Sequence, residues 1–104
     1  MQEDKKIRVI LADDHQIVLD GLSFVLRDVP DIEVVGMVND GEKVLEILRL
    51  NRDGVDVAVL DISMPVLNGI ETTHKIHRMY PQVKVLILTM YGSEALSARW
   101  LSLG

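Results

Sequence analysis

Asp13, Asp14, Asp61 and Thr89 occupy comparable places in this sequence. The two neighbouring acids follow Ile7-Arg8-Val9-Ile10-Leu11-Ala12, Asp61 ends Val57-Ala58-Val59-Leu60, and Thr89 ends Val83-Lys84-Val85-Leu86-Ile87-Leu88. Aliphatic runs of this length read as strands buried on both faces, which puts each polar group at a strand's C-terminal tip. In open parallel sheets that rim is where ligands bind. Alone, a strand-end Asp serves equally well as a helix cap or a solvated turn. If the first and third strands are neighbours, however, three carboxylates converge. Two carboxylates about 5 Å apart repel by about 3 kcal/mol at an effective dielectric of ~20, so such a cluster protonates or recruits a cation. Hard oxygen donors suit Mg²⁺, which binds through one or two carboxylates plus a substrate phosphate. The chemistry expected is that of a metal-primed phosphate site, with the Thr89 hydroxyl able to donate to a phosphoryl oxygen.

The elements that must position these groups follow from periodicity. Residues 7–12 form the first strand. A first helix has Ile17, Val18, Gly21, Leu22, Val25 and Leu26 at helical spacing and stops at Pro30-Asp31. Residues 33–38 form a second strand. Asn39-Asp40-Gly41-Glu42 opens a second helix with an apolar face of Val44, Leu45, Ile47 and Leu48, ended by the polar turn 51–54. Pro65 and Asn68-Gly69 punctuate a loop that holds the backbone around Asp61 open, and the third helix follows over 69–79 with Ile70, Thr73 and Ile76 inward and His77 at the border of that face. Residues 83–89 form the fourth strand, and Ser93 caps a fourth helix that closes at Gly104. Strands alternating with helices imply right-handed crossovers and an α/β parallel sheet covered on both faces; with the first and third strands as neighbours it is the doubly wound, flavodoxin-like order 2-1-3-4. The chain reads as one domain, 1–104.

Composition narrows the function. The chain of 104 residues is 48% hydrophobic but 4% aromatic, so Val, Leu, Ile and Met must build the core. A net charge of -5 argues against direct contact with nucleic acid or an anionic membrane, since both require a basic patch. Cysteine is absent, which excludes a disulfide frame and a thiolate metal site and fits a reducing cytoplasm. No apolar run approaches the ~20 residues of a membrane span. His15 is expected to face solvent at a helix start rather than to bind metal. His74 and His77 read as a solvated flank, and Trp100 as packing for the fourth helix.

Asp13-Asp14 after the first strand, Asp61-Ile62-Ser63-Met64-Pro65 with Gly69 beyond it, and Leu88-Thr89 after the fourth strand closely resemble the receiver domain of two-component response regulators. Ala12-Asp13-Asp14-His15 and Leu88-Thr89-Met90 look like its NarL/FixJ group, whose members usually carry a C-terminal helix-turn-helix DNA-binding domain. The resemblance implies a CheY-like fold and a signalling role rather than an enzyme. It makes Asp61 the phosphoacceptor for a sensor histidine kinase. It also implies Mg²⁺ held by Asp13, Asp14, Asp61 and the backbone carbonyl of Ser63, and a Thr89 that moves toward the acyl phosphate. Ser63 and Tyr91 occupy positions that in the family tune access of the hydrolytic water.

The family completes its site with a Lys ending a fifth strand, followed by a fifth helix. By the resemblance that Lys falls about ten residues beyond Gly104, and Lys84 sits at the wrong end of the sheet to replace it. The expectation is therefore a receiver lacking its fifth strand, fifth helix and output domain, with the fourth strand as an apolar edge that drives self-association or a homodimer. Three other readings compete. A haloacid-dehalogenase-like Mg²⁺-dependent phosphatase also uses a strand-end Asp but wants a second Asp where Ser63 stands. A flavin-binding flavodoxin needs a phosphate loop that Asp13-Asp14 would repel. An inactive structural fragment is the third.

Overall fold

The computed structural model describes residues 6–91 and 95–101, and of 89–91 and 95–101 the backbone alone. Its elements are β1 (Ile7–Ala12), α1 (Gln16–Arg27), β2 (Ile32–Val38), α2 (Gly41–Leu50), β3 (Val57–Asp61), α3 (Gly69–Met79), β4 (Lys84–Tyr91) and β5 (Ala95–Leu101). The sheet runs β2-β1-β3-β4-β5, and its first four strands are parallel, as the crossover pattern requires. The receiver-like order 2-1-3-4 is thus present, with three helices rather than four among the described residues.

Strand side chains alternate between two faces. Ile10, Ala12, Ala58, Leu60, Val85 and Ile87 face α2 and α3, where they join Val44, Leu48 and Ile76 in one core. Val9, Leu11, Val59 and Leu88 face the other way, onto α1. Of α1 only Leu19 is fully buried, with Leu22 and Leu26 packed beside it. Truncating Leu19 to Ala would cost roughly 2–5 kcal/mol. The sequence expectation mis-set the phase of this helix: Ile17 is 85% exposed and Val25 63%. Apolar residues run all around α1, so periodicity did not select the stripe that the sheet covers.

Local chemistry sets the other helix bounds. Asp40 accepts the Lys43 backbone N–H at 2.9 Å and caps α2. Asn68 caps α3 in a capping box, its side chain accepting from Glu71 N–H at 2.8 Å while Glu71 accepts from Asn68 N–H at 3.3 Å. In α3 the inward set is Thr72, Thr73 and Ile76, whereas Ile70, expected inside, is 40% exposed. Both threonines can be buried because each hydroxyl returns to a carbonyl one turn back, Thr72 to Asn68 and Thr73 to Gly69, at 2.7 Å. His74 lies outside, as expected, but the Nε2 of His77 is shut off from water and has no partner among the described residues.

The expected fourth helix is not formed. Residues 95–101 are instead β5, antiparallel to β4 and paired from Val85↔Leu101 to Tyr91↔Ala95. Ser93 and Gly104, the expected cap and stop, lie outside the described residues. The physical reason is the open ladder of β4. An antiparallel neighbour satisfies its unpaired backbone groups through a short connection, while another parallel strand would need a crossover. β4 is consequently an interior strand, not the sheet's edge, and the edge-pairing argument for self-association does not apply to it. Among the described residues no helix is long and apolar enough to cross a membrane.

The β1–β3 ladder positions the acids. Val9 pairs with Val57 and Ala12 with Leu60, so Asp13 and Asp61 each directly follow one member of the last pair. At the opposite end of the same two strands Arg8 and Asp56 are joined, the Arg8 backbone N–H donating to Asp56 Oδ2 at 2.8 Å and Nε lying 3.3 Å from the same oxygen.

Candidate phosphoryl and metal site

At the tips of β1 and β3 the expected acids converge. One ligand atom from each of Asp13, Asp14, His15 and Asp61 can be chosen so that all lie within 4.8 Å of one another. Metal–oxygen bonds of ~2.1 Å put opposite ligands of an octahedral ion ~4.2 Å apart, so the cluster is slightly wider than one divalent ion's coordination shell and small side-chain shifts would close it around an ion. Its donors are hard oxygens from three carboxylates, the set that suits Mg²⁺. Asp13 is buried, at 3% exposure, while Asp14 opens to solvent. The side chain of Asp61 retains 17% exposure, enough for a reagent to reach it.

Burial raises the Asp61 pKa above its ordinary value, and the neighbouring Asp13 charge raises it further. The backbone N–H of Ser63, donating to the Asp61 carboxylate, acts in the opposite direction. Desolvation together with a like-charge neighbour makes Asp61 a candidate functional group.

Sequence reasoning missed the contact that His15 makes with the acids. Its ring is exposed, as expected, yet Nδ1 lies 2.9 Å from Asp13 Oδ1, 3.0 Å from Asp14 Oδ1 and 3.9 Å from Asp61 Oδ2. Its backbone N–H also donates to Asp13 Oδ1, at 2.8 Å. The hydrogen bond to Asp13, then the Asp14 charge, raise the imidazole pKa. The available signal was its position: a residue directly after two strand-tip acids, at the N-cap of α1, can turn back into the cluster.

The loop after β3 is tightly drawn. Gly69 N–H donates to the Ile62 carbonyl at 2.8 Å, and a Cβ on Gly69 would collide with the Asp61 carbonyl. Leu67 N–H donates to the Pro65 carbonyl at 2.6 Å, closing a γ-turn in which Val66 has φ of 67°. That conformation is strained for a β-branched residue. The Leu67 carbonyl in turn accepts Gly41 N–H at 3.1 Å, and a Cβ on Gly41 would meet both that carbonyl and Thr72 Oγ1. The phosphate-side loop is therefore bonded directly to the start of α2, a link the sequence did not announce.

Leu88 pairs with Asp61, which places Thr89 one residue beyond it in β4. The side chains of Thr89 and Tyr91 lie outside the described residues. Lys84 begins β4 beside Val57, at the end of the sheet away from the acids, as expected.

Comparison with known proteins bears on the family and the fold. The response regulator receiver domain family matches residues 9–104. The response regulator UvrY of Escherichia coli is 39% identical over 94% of this chain and 44% of its own length. The transcriptional regulatory protein DegU of Brevibacillus brevis is 37% identical over 88% of this chain and 38% of its own. Among solved structures, the RcsB response regulator of Salmonella typhimurium superposes with a TM-score of 0.74 at 32% identity, covering 84% of this chain and 44% of that one. The chain thus spans less than half the length of the curated relatives it matches.

Proposed function

This chain belongs to the response regulator receiver domain family, with NarL/FixJ regulators as its relatives, and from that premise we propose that it accepts a phosphoryl group on Asp61 from a sensor histidine kinase. The observation that carries the reading is Asp61 at the tip of β3, partly accessible and grouped with Asp13 and Asp14 so that one ligand atom from each lies within 4.8 Å of the others. An Asp61 carboxylate oxygen attacks phosphorus as the P–N bond of the kinase's phosphohistidine breaks. The imidazole leaves with the bonding electrons, and an aspartyl phosphate results. Such a transfer depends on positioning and charge neutralisation rather than on further covalent chemistry.

Asp13, Asp14, Asp61 and the backbone carbonyl of Ser63 would hold Mg²⁺, which when bound supplies positive charge against the phosphoryl oxygens. The N–H of Ser63 and the tight turn closed by Gly69 fix the direction of the Asp61 side chain. Thr89 follows the residue that pairs with Asp61, the right level for its hydroxyl to donate to the phosphoryl group and for β4 to register the change. The receiver, residues 1–104, would control a DNA-binding output domain and so transcription in the cytoplasm. Relatives named as transcriptional regulators and a solved complex of RcsB with DNA support that extension. Homodimerisation is proposed on the same footing, RcsB having been solved as dimers on DNA. We assign the chain to signalling rather than to turnover of a substrate.

The test is incubation with Mg²⁺ and a small phosphodonor such as acetyl phosphate, followed by mapping of the adduct. Label on Asp61, absent from Asp61→Asn, is expected. Label that persists undiminished in that variant would sink the assignment.

A further inference from the structure

We propose that the His15 imidazole is an internal occupant of the cation site, seated among the carboxylates until a divalent ion arrives and swinging outward to admit it. The inference rests on the ion-binding half of the preceding proposal. Nδ1 is 2.9 and 3.0 Å from oxygens of Asp13 and Asp14 and 3.9 Å from Asp61 Oδ2, so one atom stands where an ion would have to touch all three acids. Carboxylate oxygens only accept here, and hydrogen-bond distance to two of them therefore places a hydrogen on Nδ1 pointing into the cluster. A nitrogen carrying that hydrogen has no lone pair to give a metal. A hard ion such as Mg²⁺ prefers oxygen and water in any case. The ring is a competitor, not a ligand.

The fold makes the exchange easy. The His15 side chain is 66% exposed, so only the Nδ1 edge is engaged, and rotation about Cα–Cβ removes no core packing. The backbone N–H of His15 keeps its 2.8 Å bond to Asp13 Oδ1 throughout, which holds α1 in place while the ring leaves. Asp13, the most buried acid, is thus never left without a donor. The ring blunts the mutual repulsion of the acids in the ion-free protein, and ion binding sends a polar, planar group to the surface beside the phosphoacceptor.

The test compares Mg²⁺ binding to the full chain and to His15→Ala by titration calorimetry, alongside nitrogen-15 NMR of the wild-type imidazole, with no phosphodonor present. Expected are Mg²⁺ affinity about fivefold tighter in His15→Ala, the equivalent of the hydrogen bonding given up, and wild-type ring signals that shift with the same midpoint as the calorimetric curve. Unchanged affinity with a stationary ring overturns the proposal. Weaker affinity in His15→Ala also overturns it and makes His15 a ligand. Asp14→Ala separates the two proposals. Binding that needs Asp14 yet leaves the ring in place defeats the exchange alone, whereas binding indifferent to Asp14, or none, defeats the ion site and the exchange together. Displacement of the ring in a protein that acetyl phosphate fails to label at Asp61 leaves the exchange standing and removes the phosphoacceptor.

Discussion

His15 Nδ1 and Asp13 Oδ1 meet at 2.9 Å, and the same oxygen accepts the His15 backbone N–H at 2.8 Å. A buried acid is thereby satisfied by the residue two positions later, and the first helix is fastened to the acid cluster at its N-cap. This pairing gives the site a pH dependence. The imidazole pKa is raised, so its stabilising contribution is complete below the unfolded value near 6.5 and is lost as pH rises through the higher folded value. Without divalent ions, the melting-temperature difference between wild type and His15→Ala should be larger at pH 5.5 than at pH 9. An equal difference at both would show that the imidazole does not interact with the acids in solution.

Asp61 has the opposite sign. Its folded pKa is raised, chiefly by burial and then by Asp13, so ionisation costs stability. The cost is absent below the unfolded value near 3.9 and reaches full size as pH rises through the folded value. With solvent screening allowed for, Asp61→Asn should stabilise the ion-free protein at pH 7 by about 0.5 kcal/mol, a rise in Tm of ~2–4 °C. The gain should shrink toward pH 3.5. Thermal melts at both pH values decide, and a lower Tm at pH 7 contradicts the electrostatic account.

Mg²⁺ should raise the Tm of the wild type, as any ligand specific to the folded state does, by about 1.4 kcal/mol of stability at ten times the dissociation constant. In Asp14→Ala the rise should vanish. Equal responses would place the ion elsewhere.

Backbone strain and close approach can be tested around the loop. Val66→Asn should stabilise by about 1 kcal/mol, because Asn tolerates the positive φ that Val resists. Gly69→Ala should destabilise by roughly 1–3 kcal/mol and also slow labelling by acetyl phosphate, since the added methyl presses on the Asp61 carbonyl. Gly41→Ala, which crowds Leu67 and Thr72 instead, should show a similar loss of stability in urea melts with a smaller effect on labelling.

Much of this architecture is legible in the residues. β1 and α3 have the bounds that aliphatic runs and the Asn68-Gly69 signal indicate, and Asp61 ends its strand as expected. Parallel pairing follows from the alternation of strands and helices, whereas the neighbouring of β1 and β3 is an assumption that the ladder bears out. What was not legible depends on neighbours. The burial of α1 turns on which of several apolar stripes meets the sheet, and Thr72 replaces Ile70 inside α3 because its hydroxyl is satisfied within the helix. Residues 95–101 have good helical composition, yet the open ladder of β4 takes them as a strand. His15 looks like a surface histidine because most of its ring is one; only the direction of a single nitrogen separates the two readings.

The β1–β3 ladder carries an ion pair at one end, Arg8 with Asp56, and like charges at the other, Asp13 with Asp61. Its breathing should therefore be directional. Local opening begins most cheaply where separation relieves repulsion, and is resisted where it would break a charge-assisted bond. Amide hydrogens near Ala12 and Leu60 should exchange with solvent sooner than those near Val9 and Val57. The rim proposed to receive the phosphoryl group then remains adjustable while the strands beneath it stay clamped, so flexibility is delivered at that end without loosening the sheet as a whole.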